Sequence, residues 1–203
     1  MTTPISTIIL TFNEEKHIER CILNARRFSK EIFVVDSFST DNTIEIAKRL
    51  GAIVYQNKWE KNYARQFNWG LMHLPISSEW VFRLDADEYL TNDLIHNLED
   101  ILNNNIDKDL VLVPRINTVE GLTAAHIQKW GWVVDGKGRV NWPDLQWRIY
   151  KRAPHIKWKN KVHEVLEGHR NFSALPSEPE FSLKHPKDIV RQEKQNAYYE
   201  TLG

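Results

Sequence analysis

Apolar and polar positions come in regular blocks along the first half of this chain. Residues 5–10 are a β-branched apolar run, which predicts a buried strand. Over 14–27 the apolar residues Ile18, Cys21, Ile22 and Ala25 recur at helical spacing. A second apolar run at 31–36 predicts a strand, 37–42 a cap-rich loop, and 43–50 a short helix closed by Gly51. A short strand is expected at 52–55, a helix at 63–74 that stops before Pro75, and a fourth strand at 80–84. Residues 91–102 carry Ile95, Leu98, Ile101 and Leu102 on one helical face. Strand and helix alternating in this order predict an α/β fold with a parallel sheet and right-handed crossovers.

The pattern changes after about residue 110. A strand at 110–113 is followed by Pro114, and beyond it Gly121, Gly131, Gly136 and Gly138 punctuate short strand-like pieces such as 146–150. Trp130, Trp132, Trp142, Trp147 and Trp158 all fall in this stretch. Residues 187–202 read as a polar terminal helix. No repeat, low-complexity run or linker divides the chain. The expectation is therefore one domain over 1–203, with a regular half at 1–109 and an irregular half at 110–203.

Composition narrows the function classes. The 203 residues contain 41% hydrophobic positions, enough for a sizeable core. The formal net charge of +0 argues against nucleic acid as a partner and against a strong attraction to an anionic membrane. Cys21 is the single cysteine, so no internal disulfide is available, which fits a reducing compartment. No basic leader and no apolar run of membrane-spanning length is seen. The expectation is a soluble, cytoplasmic protein that can still work at the inner face of a membrane.

Candidate chemistry gathers where the apolar runs end. The run Trp80-Val81-Phe82 empties into Leu84-Asp85-Ala86-Asp87-Glu88, three carboxylates separated by one alanine. Acidic residues are depleted in strands, and at the C-terminal end of a parallel strand they sit where α/β sheets bind ligands. Carboxylates this close repel unless a cation joins them, and a divalent metal carrying a diphosphate meets that need. The first run ends in Thr11-Phe12-Asn13-Glu14-Glu15 and the second in Asp36-Ser37-Phe38-Ser39-Thr40-Asp41. Helix capping is the plain alternative for Asn13, Glu14, Thr40 and Asp41.

Taken in order, Thr-Phe-Asn-Glu-Glu, Val-Val-Asp-Ser-x-Ser-Thr-Asp and Leu-Asp-Ala-Asp-Glu resemble the family 2 glycosyltransferases of the GT-A fold, closely over residues 5–102. The later Pro143-Asp144-Leu145-Gln146-Trp147-Arg148 and Val162-His163-Glu164 resemble the bacterial branch that includes lipopolysaccharide-core glucosyltransferases. The resemblance implies a Rossmann-like, mostly parallel GT-A sheet flanked by helices, with an irregular acceptor-binding C-terminal half. It implies a hexosyltransferase moving a sugar with inversion from a nucleotide-diphosphate donor, most simply a UDP-sugar, with Mn2+ or Mg2+, to a glycan or lipid-linked acceptor of the cell surface. By position, Asp36 would hydrogen-bond the donor's base. Thr11, Asn13 and Glu14 would line that pocket, Asp85 would face the ribose and the metal, and Asp87 would bind the metal. The family often has Gly where Phe38 and Asn42 stand, and Phe67 occupies the place of a family arginine, leaving Arg65 as the candidate cationic contact.

An inverting transfer also needs a base for the acceptor hydroxyl. Asp144, after Pro143 and at the family's catalytic aspartate position, is one candidate, and Glu164 beside His163 is the other. On a strand, Gln146 and Arg148 share a face with Asp144, and the fork of Arg148 suits phosphate. His163 is the candidate late metal ligand, whereas His126, His155, His169 and His185 read as structural. One or two tryptophans are expected in an acceptor groove, since aromatic faces stack on sugars. Rival readings fit less well. A nucleotidyltransferase wants a glycine-rich loop after the first strand. An aspartyl-phosphate phosphatase wants its acidic motif near the N-terminus. An EF-hand fails at Tyr89. A non-catalytic sugar-binding protein accounts for the tryptophans but not for the carboxylates on successive strand ends.

Overall fold

Ile5–Thr11 (β1) and Glu31–Asp36 (β2) are almost wholly buried because both of their faces are covered. A computed structural model describes residues 4–202 of the chain. In it, β1 and β2 are joined by helix Ile18–Ala25 (α1) and followed by Thr43–Arg49 (α2), Ile53–Gln56 (β3), Tyr63–His73 (α3), Trp80–Asp85 (β4), Tyr89–Leu90 (β5) and Asn92–Asn104 (α4). The second half supplies Leu110–Glu120 (β6), Ala124–Trp130 (α5), Val140–Lys151 (β7), Lys157–Lys159 (β8), Val165–Glu167 (β9), Phe172–Ala174 (β10), Leu183–Asp188 (β11) and Ile189–Glu200 (α6). The fold is mixed α/β.

A nine-stranded sheet runs β3-β2-β1-β4-β7-β6-β11-β5, with β10 also paired to β6, so both halves of the chain contribute to it. The pairs β2–β3, β1–β2 and β1–β4 are parallel, and β7 is inserted antiparallel between β4 and β6. The core lies on both sides of the sheet. Ile5, Ile9, Val34, Phe82 and Leu84 pack with α1 and α4, while Ile8, Phe33, Val35 and Val81 pack with Ala64 and Phe67 of α3 and with Trp158. The period-2 alternation within each strand sends successive residues to opposite layers.

Several elements differ from the sequence expectation. The first helix starts at Ile18, because Glu14 is held in a turn: its carbonyl accepts from Ile18 N (2.9 Å) and its N–H donates to Thr43 Oγ1 (2.8 Å). The expected strand at 110–113 continues through Pro114 to Glu120, and the piece at 146–150 extends to Val140–Lys151, because the two strands pair along their length. The terminal helix begins only at Ile189. The preceding residues form β11, whose Leu183, His185 and Lys187 face inward. Helix α5, capped by Thr123 with His126 and ended by Gly131 at φ 64°, is not apparent from the pattern because it buries no residue. Its absence of a core face removes the periodic signal.

Candidate active site

Strand register brings the polar strand ends to one edge. Thr11 lies opposite Asp36 on β2, and Leu10 opposite Asp85 on β4. Asp36 is fully buried. Its carboxylate accepts from Thr11 Oγ1 (2.8 Å), Ser39 N (2.8 Å) and Ser39 Oγ (2.5 Å). Asn13 ties the two loops together: its backbone N–H donates to Ser39 Oγ and its side chain accepts from Thr40 N, both at 2.8 Å. Thr11, Asn13 and Asp36 thus build a stitched loop pair beside the central cavity rather than its lining. Phe12 and Phe38 stand exposed on these loops, and Phe38 has φ 61°.

The cavity itself is about 560 Å3. Of the residues singled out from the sequence, Glu14, Asp85, Asp87, Asp144, Gln146, His163 and Glu164 line it. Trp132 and Trp147 also face it, consistent with one or two tryptophans at a groove. Trp158, by contrast, is a core residue packed tilted against Phe67 and edge-on to Tyr150. Arg65 is not brought here. It is exposed and paired with Glu60 at 3.1 Å.

Asp85-Ala86-Asp87-Glu88 closes on itself by Glu88 N to Asp85 O (2.9 Å) and Asp85 N to Glu88 Oε2 (3.1 Å). This turn sends its carboxylates in two directions. Asp85 and the fully buried Glu88 face β7 and β6. There Arg148 donates to Asp85 (2.8 Å) and to Glu88 (2.5 Å), and Arg115 donates to Glu88 (3.0 Å). Arg148 is 1% exposed and forms the floor behind the motif, so here it neutralises carboxylates instead of facing an open phosphate site. Arg83 packs between the rings of Phe67 and Trp158, pairs with Glu164 at 3.1 Å and lies 3.8 Å from Asp85. Burial alone would raise the pKa of Asp85, but Arg148 and Arg83 outweigh it and hold the carboxyl well below the usual range.

Asp87 turns toward the C-terminal segment. Its Oδ2 lies 3.2 Å from His185 Nε2 and 3.0 Å from Arg191 Nη2. Here too burial opposes ionisation, and the cationic surroundings of His185, Lys187 and Arg191 overcome it. Glu14, bonded to the same Arg191 at 2.9 Å, goes the other way: burial keeps its pKa above the ordinary value. The histidine beside Asp87 is therefore His185, which reads as structural in the sequence. His163 lies on the cavity wall with its ring 5.9 Å from that of Tyr199.

Asp144 is joined to this pair through Asn117. It accepts from Arg115 (2.9 Å), Asn117 Nδ2 (2.8 Å) and Gln146 (2.6 Å). These donors, Arg115 foremost, outweigh burial and lower its pKa. The sequence expectation that Gln146 shares a face with Asp144 matches this geometry. Because a carboxylate only accepts, the Asn117 amide must turn its NH2 to Asp144. Its Oδ1 then accepts a hydrogen bond from His185 Nδ1–H at 2.8 Å. Burial lowers the pKa of His185; its Nε2 donates to Asp87 Oδ2 while protonated, and once neutral it offers a lone pair to a cation beside that carboxylate.

Among the described residues no three His, Cys, Asp or Glu side chains converge as a ready-made metal cage. Asp87 Oδ2 and His185 Nε2 are nonetheless an oxygen and a nitrogen donor on the cavity wall, a set that Mn2+ accepts. Two protein donors suit a cation that takes its remaining ligands from phosphate and water. Glu88 belongs to the acidic motif singled out from the sequence; the residues missed there are Arg115, Asn117, His185 and Arg191. For His185 the signal was the alternation Leu183, His185, Lys187 on one strand face.

No helix among the described residues is long and apolar enough to cross a membrane. Comparison with known proteins adds the family. An uncharacterized glycosyltransferase of Rickettsia typhi is 38% identical over 100 residues, 47% of this chain and 32% of that protein. The lipopolysaccharide core biosynthesis glycosyltransferase LpsC of Rhizobium meliloti is 33% identical over 103 residues, 49% of this chain and 37% of that protein. The matches thus span about a third of these curated relatives. The crystal structure of Staphylococcus aureus TarS 1-349 superposes on the whole chain and 64% of its own with a TM-score of 0.60 at 18% identity, which establishes the GT-A fold. The model of the family described as Glycosyl transferase family 2 matches residues 6–169, and the chain belongs to that family.

Proposed function

We propose that this chain carries the catalytic site of an inverting hexosyltransferase that uses a nucleotide-diphosphate sugar, a UDP-sugar in the simplest case, and a glycan or lipid-linked acceptor. The observation that supports this reading is the continuous contact set Asp144–Asn117–His185–Asp87 on the wall of one cavity, which we read as a base joined to a metal-binding pair. Asp36, with Thr11, Asn13 and Glu14, is assigned to the nucleoside end of the donor. Asp87 and His185 would hold Mn2+ or Mg2+, and Asp85 stands beside them. The cation supplies charge stabilisation to the departing diphosphate.

Asp144 is assigned as the base. It faces the cavity, and its low pKa keeps it ionised at neutral pH. As the acceptor oxygen bonds to the anomeric carbon, the bond from that carbon to the diphosphate breaks. The hydroxyl proton passes to Asp144, and the nucleoside diphosphate leaves with the electron pair. Glu164 is the second candidate; each carboxylate is paired with an arginine, but the Glu164 side chain is 9% exposed against 25% for Asp144, so it is the less accessible to an acceptor hydroxyl. Gln146 orients Asp144, and Trp132 and Trp147 offer faces for the acceptor sugar. The name of the Rhizobium meliloti relative supports a lipopolysaccharide-type acceptor; a cytoplasmic reaction at the inner face of a membrane belongs to the same proposal.

The test is release of nucleoside diphosphate from a panel of UDP-, GDP- and dTDP-sugars with Mn2+. Turnover of a UDP-sugar is expected. No hydrolysis or transfer with any donor, together with no binding of any nucleoside diphosphate, overturns the reading.

A further inference from the structure

We propose that Arg191 competes with a divalent cation for Asp87, and that the donor's diphosphate ends this competition by becoming the new partner of Arg191. This rests on the donor reading above and goes beyond it by assigning the residue that couples metal to nucleotide.

The geometry makes the two occupants of Asp87 exclusive. Arg191 places Nε at 3.2 Å and Nη2 at 3.0 Å from Asp87 Oδ2, the same oxygen that lies 3.2 Å from His185 Nε2. A cation held between Asp87 and His185 needs that oxygen, and a guanidinium beside it adds like-charge repulsion. Arg191 must therefore swing away when the cation enters. Its Nη2 also clamps both oxygens of Glu14, at 2.9 and 3.1 Å, so leaving costs two carboxylate partners. A diphosphate arriving with the cation offers a replacement of matching charge and shape.

The fold allows that movement without moving the helix. Asp188 caps α6 by accepting from Arg191 N at 2.8 Å, which anchors the backbone. The side chain lies between the central cavity and a second one of about 550 Å3, and it lines both. The far end of α6 is held independently, by Tyr198 OH accepting from Trp59 at 2.7 Å and by Tyr199 against Tyr63. Lys187, buried beside the same cavity, adds a second positive charge that disfavours a cation alone. Cation and diphosphate binding are thus linked, and the linkage is reciprocal.

The experiment measures Mn2+ and UDP binding separately by titration calorimetry on wild type and Arg191→Met. Mn2+ without nucleotide should bind about tenfold more tightly to Arg191→Met. UDP at saturating Mn2+ should bind about 10- to 100-fold more weakly, the loss of a charge-assisted pair. Opposite shifts support the proposal. Both affinities moving together, or neither moving, overturn it. Should Arg191→Met not fold, Arg191→Lys keeps the charge and removes the fork. It should leave Mn2+ binding unchanged and weaken UDP, and UDP affinity equal to wild type overturns the proposal. A wild-type protein that binds no nucleoside diphosphate fails the donor reading itself. Wild-type UDP binding with an unaltered Arg191→Met profile fails this inference alone.

Discussion

His185 Nε2 lies 3.2 Å from Asp87 Oδ2, an approach made by a β11 residue to the turn after β4. Asn117 holds the other ring nitrogen at 2.8 Å and is itself bonded to Asp144. These contacts join four residues of the proposed site, and their geometry leads to definite outcomes.

His185→Ala should lower Mn2+-dependent UDP binding about a hundredfold or more, since one of two protein donors is lost. His163→Ala should change it by less than about threefold, because that ring is not placed at Asp87. Calorimetric titration of both variants decides between them. The reverse ranking would return the ligand role to His163.

Asn117→Ala should weaken Mn2+ binding about 10- to 100-fold, the usual cost of removing the group that orients a metal-binding histidine. Unfolding followed by circular dichroism should show a far smaller effect, because Asn117 is only partly buried. A variant with normal Mn2+ affinity would mean that the amide does not set the tautomer.

Asp144→Asn should cut kcat by about 10²- to 10⁴-fold while leaving UDP affinity near wild type, as expected for a base that acts in the transition state. Glu164→Gln should act first on stability, because it removes the partner of buried Arg83. If Glu164→Gln abolishes turnover while Asp144→Asn does not, the two roles exchange.

Acid should destabilise the protein in two stages. Burial lowers the pKa of His185 below its ordinary 6.5, so the unfolded chain binds more protons between the two values and stability falls as pH drops through that window. Asp85, Asp87 and Asp144 all lie below their ordinary 3.8, so the stability they add above that value is lost as pH falls further. Thermal melts from about pH 8 to about pH 3 should show both stages, and His185→Gln should shrink the first one to the part that His17, whose pKa burial also lowers, contributes. A melt profile identical in that variant would assign the first stage elsewhere.

Phe38→Gly should raise stability by roughly 0.5–1 kcal/mol, the left-handed backbone strain relieved less the added glycine entropy. Phe38 has φ 61° and is exposed, so little packing is lost. A lower melting temperature would show that the ring packs usefully in solution.

Much of the first half was legible because its signals are local. Ile5 to Leu10 and Glu31 to Asp36 announce strands by composition, and Asp36 and Asp85 announce an edge because carboxylates end those strands. Arg65 misled because its only recommendation was closeness to Phe67. On a helix nearby positions point in different directions, and it faces Glu60. Helix α5 was silent because nothing in it is buried.

By itself the sequence determined the βαβ order, the buried strands and the strand-end carboxylates, since periodicity and capping act within a few residues. The tertiary structure decided which cation meets which carboxylate. Arg148 reaches Asp85 because β7 pairs with β4, His185 reaches Asp87 because β11 pairs with β6, and Arg191 follows because α6 leaves the end of β11. A charged residue carries no local record of the strand beside it. Only the register of distant pairings, fixed by burial of the apolar faces, assigns these partners.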